Sequence, residues 1–426
     1  MDSTAFAYAE ELLDEGYLLA TYYLEAKSDF DTMAEVAAFA RGQSTGTWTP
    51  VRGLADDMVR RHTARVVGIY EVPPVEMEPD LTAGSRRFII RVAFPEVNIG
   101  HQFPLLLTTL LGSEVSTSLR LKLVDLQLPR TFVEGFRGPK FGIDGLRARL
   151  GIHDRPILLS ITKPSTGFGP QVGSSFFEQA ARGGADIVKD DELLGDLPFN
   201  KIQDRVTLYT EVSHRVFEET GHRTAYCVNV TDRPDRILEH VKRVQDLGAD
   251  LVMINGIAVG LGTMRTVVED PSVGIPVLMH HAGAGVWTES PRGGVSSEVL
   301  LGKLCRLAGA DAVMHSSIYS SQPLMRERYV STARFLRMPW YDLQPSMPVV
   351  GGGVHPQTAV RIIQDIGSDV MLAVGGAVHG HPGGAAAGSR AMRQAISAAV
   401  DGVDLPTRAA EQPELKEALA LWGDAG

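Results

Sequence analysis

The residues best suited to chemistry form a run of four charges at the end of a short apolar stretch. GGADIV, residues 183–188, is followed directly by Lys189, Asp190, Asp191 and Glu192. Asp191 and Glu192 offer hard carboxylate oxygens, which suit Mg²⁺ better than zinc and leave the ion positions for substrate. An ammonium group cannot bind a metal. Lys189 therefore either balances charge or, if desolvation lowers its pKa, presents a free amine that can add CO₂ as a carbamate.

Polar or glycine-rich groups also end five other short apolar runs. These groups are Lys163-Pro164, His280-His281, His315-Ser316-Ser317, Gly351-Gly352-Gly353 and Gly375-Gly376. A lysine can give a proton to a developing enolate or take one away, and glycine turns expose backbone N–H groups that bind phosphate. Taken singly, each group also fits a structural role, such as a charged loop or a tight turn. Together with a metal they indicate enediolate chemistry on a phosphorylated sugar or sugar acid.

The apolar runs predict the scaffold that brings these groups together. Eight of them alternate with helical segments, at residues 156–164, 185–192, 225–232, 249–256, 275–283, 310–317, 347–355 and 369–382. Continuous apolar strands between helices indicate a parallel sheet buried on both faces. Eight such units over this length predict a (β/α)₈ barrel, whose active site lies at the carboxyl ends of the strands. A doubly wound open sheet is the alternative, but it does not require eight units.

The first third of the chain has a different pattern. Strand-like runs at 16–26, 64–72, 86–95 and 118–129 are interrupted by helical segments at 28–42 and 103–111. The order β-α-β-β-α-β predicts a ferredoxin-like α+β unit. The first helix has Ser28 or Asp29 as its expected N-cap. We therefore predict an N-terminal ferredoxin-like domain over residues 1–138 and a barrel with C-terminal helices over residues 139–426.

Composition indicates an ordinary globular protein and argues against two classes of partner. The 426 residues are 44% hydrophobic and 22% charged, with a formal net charge of -10 that disfavours nucleic acid and anionic membranes as partners. Two cysteines form no disulfide framework or zinc pattern. The acidic N-terminus lacks the basic start of a signal peptide, and the longest apolar stretch, residues 103–112, is too short to span a bilayer. A cytoplasmic location is expected.

GGADIVKDDE resembles the metal-binding segment of the ribulose bisphosphate carboxylase (RuBisCO) large-subunit superfamily. The resemblance covers essentially the whole chain in order and includes both predicted domains. It implies that Lys189 is carbamylated by CO₂ and binds one Mg²⁺ per site with Asp191 and Glu192. It also implies that Lys163, Lys189 and His280 are catalytic residues.

Further segments carry the same resemblance. ITKPSTG matches the strand-one lysine segment, VVGGGVH and AVGGAVHGHPGG match the phosphate-binding turns, and STGTWTPV (44–51) matches a segment that reaches into a neighbouring subunit's site. The resemblance implies an antiparallel homodimer in which each active site is shared between two chains. The residues expected to bind phosphate or substrate are Thr47, Trp48, His281, His315, Gly352, Gly353, Gly375 and Gly376.

Several positions depart from the carboxylating members of the superfamily. The loop after strand six, HSSIYSSQPLM, has Gln322 where those members have a lysine that holds the incoming carboxyl group. Ser165 replaces the second lysine of the strand-one segment, Gly42 replaces a glutamate, and His281 replaces an arginine at a phosphate site. The chain therefore resembles the RuBisCO-like proteins, called form IV, and should not fix CO₂ onto ribulose bisphosphate. Loss of the arginine hints at a substrate with a single phosphate.

Within that group the residues leave more than one reaction open. The polar SSIYSSQ segment offers little apolar surface for a methylthio group, which favours a decarboxylase or transcarboxylase of an oxo-sugar-acid phosphate in apionate-type catabolism. The alternative is an enolase or isomerase of a methylthio-sugar phosphate in methionine salvage. A non-catalytic regulatory or stress protein is a third hypothesis, although the complete Lys-Asp-Asp-Glu set argues against it. A barrel aldolase would need a Schiff-base lysine rather than a metal site.

Overall fold

The computed structural model describes residues 5–12, 16–47, 53, 55–76 and 84–423. The chain divides into two compact units, which are considered separately. The first comprises Met1–Phe136 and Gly283–Leu300, and the second comprises Arg137–Ala282 and Leu301–Gly426. Within the described residues, no helix is long and apolar enough to cross a membrane.

The strands and helices are numbered in chain order. The strands are β1 (Tyr17–Lys27), β2 (Arg65–Glu71), β3 (Ser85–Pro95), β4 (Lys122–Gln127), β5 (Ile157–Ile161), β6 (Ile187–Lys189), β7 (Ala225–Asn229), β8 (Leu251–Ile254), β9 (Val277–Met279), β10 (Gly294–Val295), β11 (Ala312–Ser316), β12 (Met347–Gly351) and β13 (Met371–Val374). The helices are α1 (Thr32–Gly42), α2 (Asp56–His62), α3 (Phe103–Leu111), α4 (Arg130–Val133), α5 (Gly142–Leu150), α6 (Pro170–Arg182), α7 (Ile202–Thr220), α8 (Pro234–Asp246), α9 (Gly256–Val259), α10 (Leu261–Glu269), α11 (Gly285–Thr288), α12 (Cys305–Leu307), α13 (Arg326–Arg337), α14 (Pro356–Ile366), α15 (Gly376–His379), α16 (Gly384–Asp401), α17 (Leu405–Glu411) and α18 (Pro413–Trp422).

The first unit is built on a five-stranded sheet with the order β10-β4-β1-β3-β2. The central strand β1 runs antiparallel to both β3 and β4, and its side chains alternate between buried and half-buried along most of its length. Such alternation is typical of a sheet with one face on a core. The order β4-β1-β3-β2 confirms the predicted ferredoxin-like unit, and the short β10 adds a parallel edge strand beside β4.

The first helix begins later than expected. Asp31, not Ser28 or Asp29, is the N-cap of α1, and its carboxylate accepts a hydrogen bond of 3.1 Å from the Ala34 amide. The expected cap was wrong because β1 extends to Lys27 and the next residues turn the chain, with the Phe30 amide donating to the Lys27 carbonyl. An N-cap side chain must lie within three residues of the amide that it binds.

The second unit contains a closed barrel of eight parallel strands in the order β11-β12-β13-β5-β6-β7-β8-β9. All eight predicted strands are present, and each pairs with the next barrel strand along the chain. The last strand, β13, pairs with the first, β5, so the predicted barrel is confirmed and the open sheet is excluded. The predicted boundary at residue 138 stays a prediction. Alternate side chains of the strands fill the barrel interior, including Ile161, Ile187, Cys227 and Met253.

Three aspartates secure the amino-terminal ends of the barrel strands. Each directly precedes its strand and accepts a hydrogen bond of 2.8 to 2.9 Å from an amide of a neighbouring strand: Asp186 from Leu158, Asp250 from Tyr226 and Asp311 from Val277. They occur in the recurring motif Ala-Asp followed by apolar residues. These carboxylates therefore stabilise the end of the barrel opposite the carboxyl ends of the strands.

Candidate active site

Four of the predicted residues meet where β5, β6 and β9 end. The Nζ atom of Lys163, two residues beyond β5, donates a 2.6 Å hydrogen bond to Oδ2 of Asp191. Glu192, the next residue after Asp191, has Oε2 at 3.5 Å from Nε2 of His280, which follows β9. Asp191 is buried, whereas the Lys163 and Glu192 side chains are 38% and 33% exposed, so the group is open to a ligand on one side.

Lys189 ends β6 with its side chain directed into the barrel. It follows Ile187 by two residues and so shares the inward face of the strand, where its Nζ atom lies 3.1 Å from the Met253 sulfur. The Nζ atom also donates a 2.7 Å hydrogen bond to the backbone carbonyl of Asp190. The side chain is completely buried, and that burial lowers the pKa of its ammonium group. Among the described residues no carboxylate forms an ion pair with it, so a neutral amine suits this position.

The donor set for a divalent cation consists of two carboxylates, to which Lys189 could add a third ligand. In the part of the chain that the structure describes, no three His, Cys, Asp or Glu side chains are grouped so as to hold a metal ion. Asp191 and Glu192 supply two carboxylates, and a carbamate on the buried, desolvated Lys189 would supply a third anionic oxygen ligand. The predicted ligand set is therefore chemically consistent with Mg²⁺, and carbamylation of Lys189 remains a prediction.

His280 is held as a neutral ring whose proton faces Glu192. Burial lowers its pKa far below the usual range. The Ala282 amide donates to Nδ1 at 3.2 Å. Because Nδ1 therefore accepts, the single ring proton must lie on Nε2, the atom that faces the Glu192 carboxylate. His280 thus directs an N–H group towards one of the two predicted metal carboxylates.

His281 stacks on His280 and has one unsatisfied polar atom. The ring centroids lie 5.3 Å apart with an interplanar angle of 26°, and burial lowers the pKa of His281 to about 4. Its Nδ1 atom is buried and has no hydrogen-bond partner among the described residues. An unpartnered buried nitrogen beside the site is available to a substrate oxygen. Its predicted role in substrate binding stays a prediction.

His315 lies in a different environment from the other predicted residues. Met314 belongs to the interior cluster of the barrel, so His315 faces outward, where its ring centroid is 5.9 Å from that of Tyr329 on α13. Its Nδ1 donates to the Ser316 carbonyl at 2.9 Å, and burial lowers its pKa to about 4. In this neutral tautomer Nε2 carries no proton, and it has no partner within the described residues. The ring would need to change tautomer or become protonated to donate to a phosphate.

The predicted phosphate-binding turns lie beside other groups of the site. Gly352 and Gly353 both have positive φ angles, of 84° and 74°, and a Cβ atom on Gly352 would lie 2.5 Å from the Ser320 hydroxyl. A Cβ on Gly375 would lie 3.0 Å from Cε of Lys163, whereas Gly376, the first residue of α15, has open space around it. The close approach of Gly375 to Lys163 brings the end of β13 next to the end of β5.

The remaining two predicted residues lie in the first unit. Thr47 is exposed in the segment after α1. Trp48 lies outside the described residues. Their predicted contribution to a site shared between two chains is untested.

Two contributors to the site were missed by the sequence reasoning. Asn229 ends β7, and its side-chain amide donates to the Glu192 carbonyl at 3.1 Å while its oxygen accepts from the Thr231 amide. Ser165 was considered only as a replaced lysine, yet its hydroxyl accepts a 3.1 Å hydrogen bond from Lys163 Nζ. A polar residue at the end of an otherwise apolar strand was the available signal for Asn229.

Family models match nearly the whole chain. Residues 142–422 match the model described as "Ribulose bisphosphate carboxylase large chain, catalytic domain". Residues 7–132 match the model for the N-terminal domain of the same large chain.

Two curated relatives are similar over nearly their full lengths. A ribulose bisphosphate carboxylase-like protein of Archaeoglobus fulgidus is 41% identical over 413 residues, covering 97% of this chain and 94% of the relative. A 2,3-diketo-5-methylthiopentyl-1-phosphate enolase of Geobacillus kaustophilus is 39% identical over 411 residues, covering 95% of this chain and 98% of the relative.

Solved structures show the same similarity. A rubisco-like protein from Alicyclobacillus acidocaldarius superimposes with a TM-score of 0.88 at 36% identity, covering 96% of this chain and 100% of that one. A dimeric archaeal Rubisco from Hyperthermus butylicus superimposes with a TM-score of 0.87 at 29% identity, with 96% of each chain covered.

Proposed function

Because this chain belongs to the ribulose bisphosphate carboxylase large-chain family, as a RuBisCO-like enzyme, we propose that it is an enolase acting on a phosphorylated methylthio diketone. The substrate class is that named for the Geobacillus kaustophilus relative, 2,3-diketo-5-methylthiopentyl 1-phosphate. Enolisation moves one proton from the carbon beside a carbonyl to the carbonyl oxygen. The reaction needs a base that removes the proton from carbon. It also needs either a positive charge or a proton donor at the carbonyl oxygen.

The observation that carries the proposal is the contact between Lys163 and Asp191 beside Glu192 and His280. These four side chains come from three different strand ends and surround a partly open space. An ammonium group 2.6 Å from a carboxylate can stabilise a developing oxyanion or exchange a proton with it when substrate displaces the ion pair. The arrangement suits proton transfer at a carbon next to a carbonyl.

The other residues position these groups. The Glu192 carbonyl accepts a hydrogen bond from Asn229, which fixes the backbone of this acid, and its carboxylate lies 3.5 Å from Nε2 of His280. Mg²⁺ held by Asp191, Glu192 and a carbamate on Lys189 would supply positive charge that stabilises an enolate oxygen. The Gly375-Gly376 turn lies beside Lys163 and is proposed to bind the substrate phosphate through its backbone N–H groups.

The sequence alone favoured a decarboxylase or transcarboxylase of an oxo-sugar-acid phosphate. That preference rested on the polar loop after β11, in which Ile318, Tyr319 and Leu324 pack against a core cluster. Met325, at the end of the same loop, is 70% exposed, so the loop offers more apolar surface than the sequence suggested. Relatives of this chain are named as enolases of a methylthio substrate. These names support the methylthio enolase reaction more strongly than the loop supports the decarboxylation of a sugar acid.

We also propose that the active form is a homodimer with shared sites. The support is the dimeric Rubisco from Hyperthermus butylicus, to which this chain is similar over 96% of its length. The segment containing Thr47 and Trp48 resembles the one that reaches the partner's site in the family.

The deciding experiment compares two substrates with the same enzyme. Purified protein, supplied with Mg²⁺ and bicarbonate, is incubated in D₂O with 2,3-diketo-5-methylthiopentyl 1-phosphate, and NMR follows deuterium uptake next to the carbonyls and formation of the enol. A parallel reaction measures CO₂ released from a branched oxo-sugar-acid phosphate.

Enol formation that is lost in Lys163→Met supports the proposal. CO₂ release without enol formation would instead establish the sugar-acid reaction. Absence of both reactions would overturn the assignment of this substrate class.

A further inference from the structure

A buried arginine lies behind the loop that carries the two predicted metal carboxylates. Arg205, on α7, is fully buried, as is its ion-pair partner Asp190, whose carboxylate is 3.1 Å from Nη2. We propose that Arg205 is a positioning residue that sets the geometry of Asp191 and Glu192. The inference rests on the proposed metal-binding role of those two carboxylates.

Asp190 separates Lys189 from Asp191 and does not face the site. Side chains alternate along an extended segment, so with Lys189 directed into the barrel Asp190 points to the opposite side. There its carboxylate accepts hydrogen bonds from Arg205, from the Tyr226 hydroxyl at 2.8 Å and from the Asn229 amide at 3.0 Å. Three donors therefore hold the two carboxylate oxygens of Asp190. These contacts fix the backbone between Lys189 and Asp191, the two predicted ligands that flank this residue.

The same guanidinium also holds the loop beyond the carboxylates. Nη1 donates to the carbonyls of Gly195 at 3.1 Å and Asn200 at 2.8 Å, and to the Asn200 side-chain oxygen at 3.1 Å. Nη2 also reaches the Leu194 carbonyl at 3.4 Å. Arg205 thus joins the end of β6, the following loop and the first turns of α7 through one side chain.

Only arginine can make this set of contacts. Its guanidinium carries five N–H donors in a rigid plane and stays charged when buried, whereas lysine offers three donors on one nitrogen. A lysine at position 205 could pair with Asp190 or reach the loop carbonyls, but it cannot keep all of them. The loop would then gain freedom at Asp191 and Glu192.

The test measures metal binding and loop mobility as well as activity. Full-length Arg205→Lys is compared with wild type by Mn²⁺ titration in bicarbonate, followed by electron paramagnetic resonance, and by hydrogen–deuterium exchange over residues 191–200. We expect Mn²⁺ affinity to fall by about 10- to 100-fold, the usual effect of losing a group that orients metal ligands. Exchange in the loop should rise at the same time.

A matched control separates positioning from general destabilisation. Arg306 is equally buried and donates to four backbone carbonyls, those of Phe335, Met338, Leu343 and Gln344, away from the carboxylate loop. Arg306→Lys should lower stability but leave Mn²⁺ affinity and exchange over residues 191–200 unchanged. If Arg205→Lys does not fold, Tyr226→Phe provides a milder variant, because it removes only the hydroxyl that bridges Asp190 and Arg205 Nε.

The outcomes distinguish this inference from the proposed function. Weaker Mn²⁺ binding and faster loop exchange in the Arg205 or Tyr226 variant, but not in Arg306→Lys, support it. Equal effects of Arg205→Lys and Arg306→Lys on Mn²⁺ affinity and loop exchange would overturn the inference. Arg205→Lys with unchanged Mn²⁺ affinity and unchanged loop exchange would also overturn it. If wild type itself binds no Mn²⁺, the proposed metal role fails, and the inference falls with it even where loop exchange rises.

Discussion

The Nζ atom of Lys163 lies 2.6 Å from Oδ2 of Asp191, so the ends of β5 and β6 are joined by an ion pair inside the predicted metal site. The carboxylate is buried, while the lysine is partly exposed and also donates to Ser165. The Lys163 contact uses one of the two carboxylate oxygens, while Oδ1 accepts a 3.1 Å hydrogen bond from the Leu193 amide. A cation bound to Asp191 would therefore share this carboxylate with the ammonium group or displace it.

Replacing Lys163 should separate proton transfer from metal binding. Lys163→Met is expected to lower turnover by about 10²- to 10⁴-fold, the usual contribution of a positioned acid or base. Mn²⁺ affinity should stay the same or rise, because the ammonium no longer competes for Asp191. Lys201→Met is a matched control, since Lys201 pairs with Asp196 at 3.3 Å in the same loop region. Loss of Mn²⁺ binding in Lys163→Met would contradict this division of roles.

Asp191→Asn should abolish both metal binding and activity while the fold is retained. The change removes the negative charge that the cation requires but keeps the shape of the side chain. Isothermal titration with Mg²⁺ and bicarbonate checks the first effect, and circular dichroism checks the fold. Asp270→Asn, which alters another lysine-paired aspartate at 3.5 Å from Lys242, should behave like wild type. Full activity in Asp191→Asn or in EDTA-stripped protein would refute the metal site.

The protein should not carboxylate ribulose bisphosphate. The family resemblance implies that Gln322 takes the place of a lysine that holds the new carboxyl group in carboxylating members. Loss of such a charge contact removes about 3 kcal/mol or more of transition-state stabilisation. The measurement is incorporation of radiolabelled CO₂ in the presence of ribulose bisphosphate and Mg²⁺, with a carboxylating enzyme as positive control. Incorporation above background would show the prediction to be wrong.

Mixing two inactive variants should restore activity if sites are shared between chains. A Thr47→Ala, Trp48→Ala double variant and Lys189→Met damage opposite halves of a shared site. A heterodimer then contains one intact site and one doubly damaged site, so it should show roughly half the activity of the wild-type dimer. Subunit exchange is confirmed first by native mass spectrometry. If exchange occurs without recovery, each chain builds its own site.

Stability should fall as pH is lowered below 6.5, and His315 should account for part of the loss. Burial lowers its pKa to about 4, whereas an unfolded histidine titrates near 6.5. The unfolded chain therefore binds a proton that the folded chain excludes between those values. The stability due to the neutral ring is present above pH 6.5 and lost as pH falls to 4. This fully buried group should contribute about 2 to 3 kcal/mol between pH 7 and 4.5.

Denaturant unfolding of His315→Gln at both pH values tests this expectation. The variant should show a smaller loss of unfolding free energy on acidification than wild type, whatever its stability at pH 7. His214→Gln, at an exposed position on α7, should keep the wild-type loss. An unchanged loss in His315→Gln would show that this ring does not titrate on unfolding.

The sequence by itself determined the barrel, the ferredoxin-like unit and the strand ends at which polar groups gather. These features follow from local patterns, since a buried parallel strand is a short apolar run and its end is visible as the first polar residues. The predicted site residues that follow or end such a run are Lys163, Lys189, Asp191, Glu192 and His280. The α1 cap was missed by two or three residues because the end of β1 depends on its pairing with β3.

Only the tertiary structure decided which neighbouring polar residues act together. Asp190 and Asp191 are identical in type and adjacent in sequence, yet one is locked against Arg205 and Tyr226 and the other contacts Lys163. His280 and His315 both lie near the carboxyl end of a barrel strand and differ in the same way. His280 faces a carboxylate of the site, whereas His315 faces an aromatic ring on α13. Side-chain direction alternates along a strand, and the partner on each side comes from a distant segment. A run of charges therefore reveals a site, while its division into ligand and support depends on the packing around it.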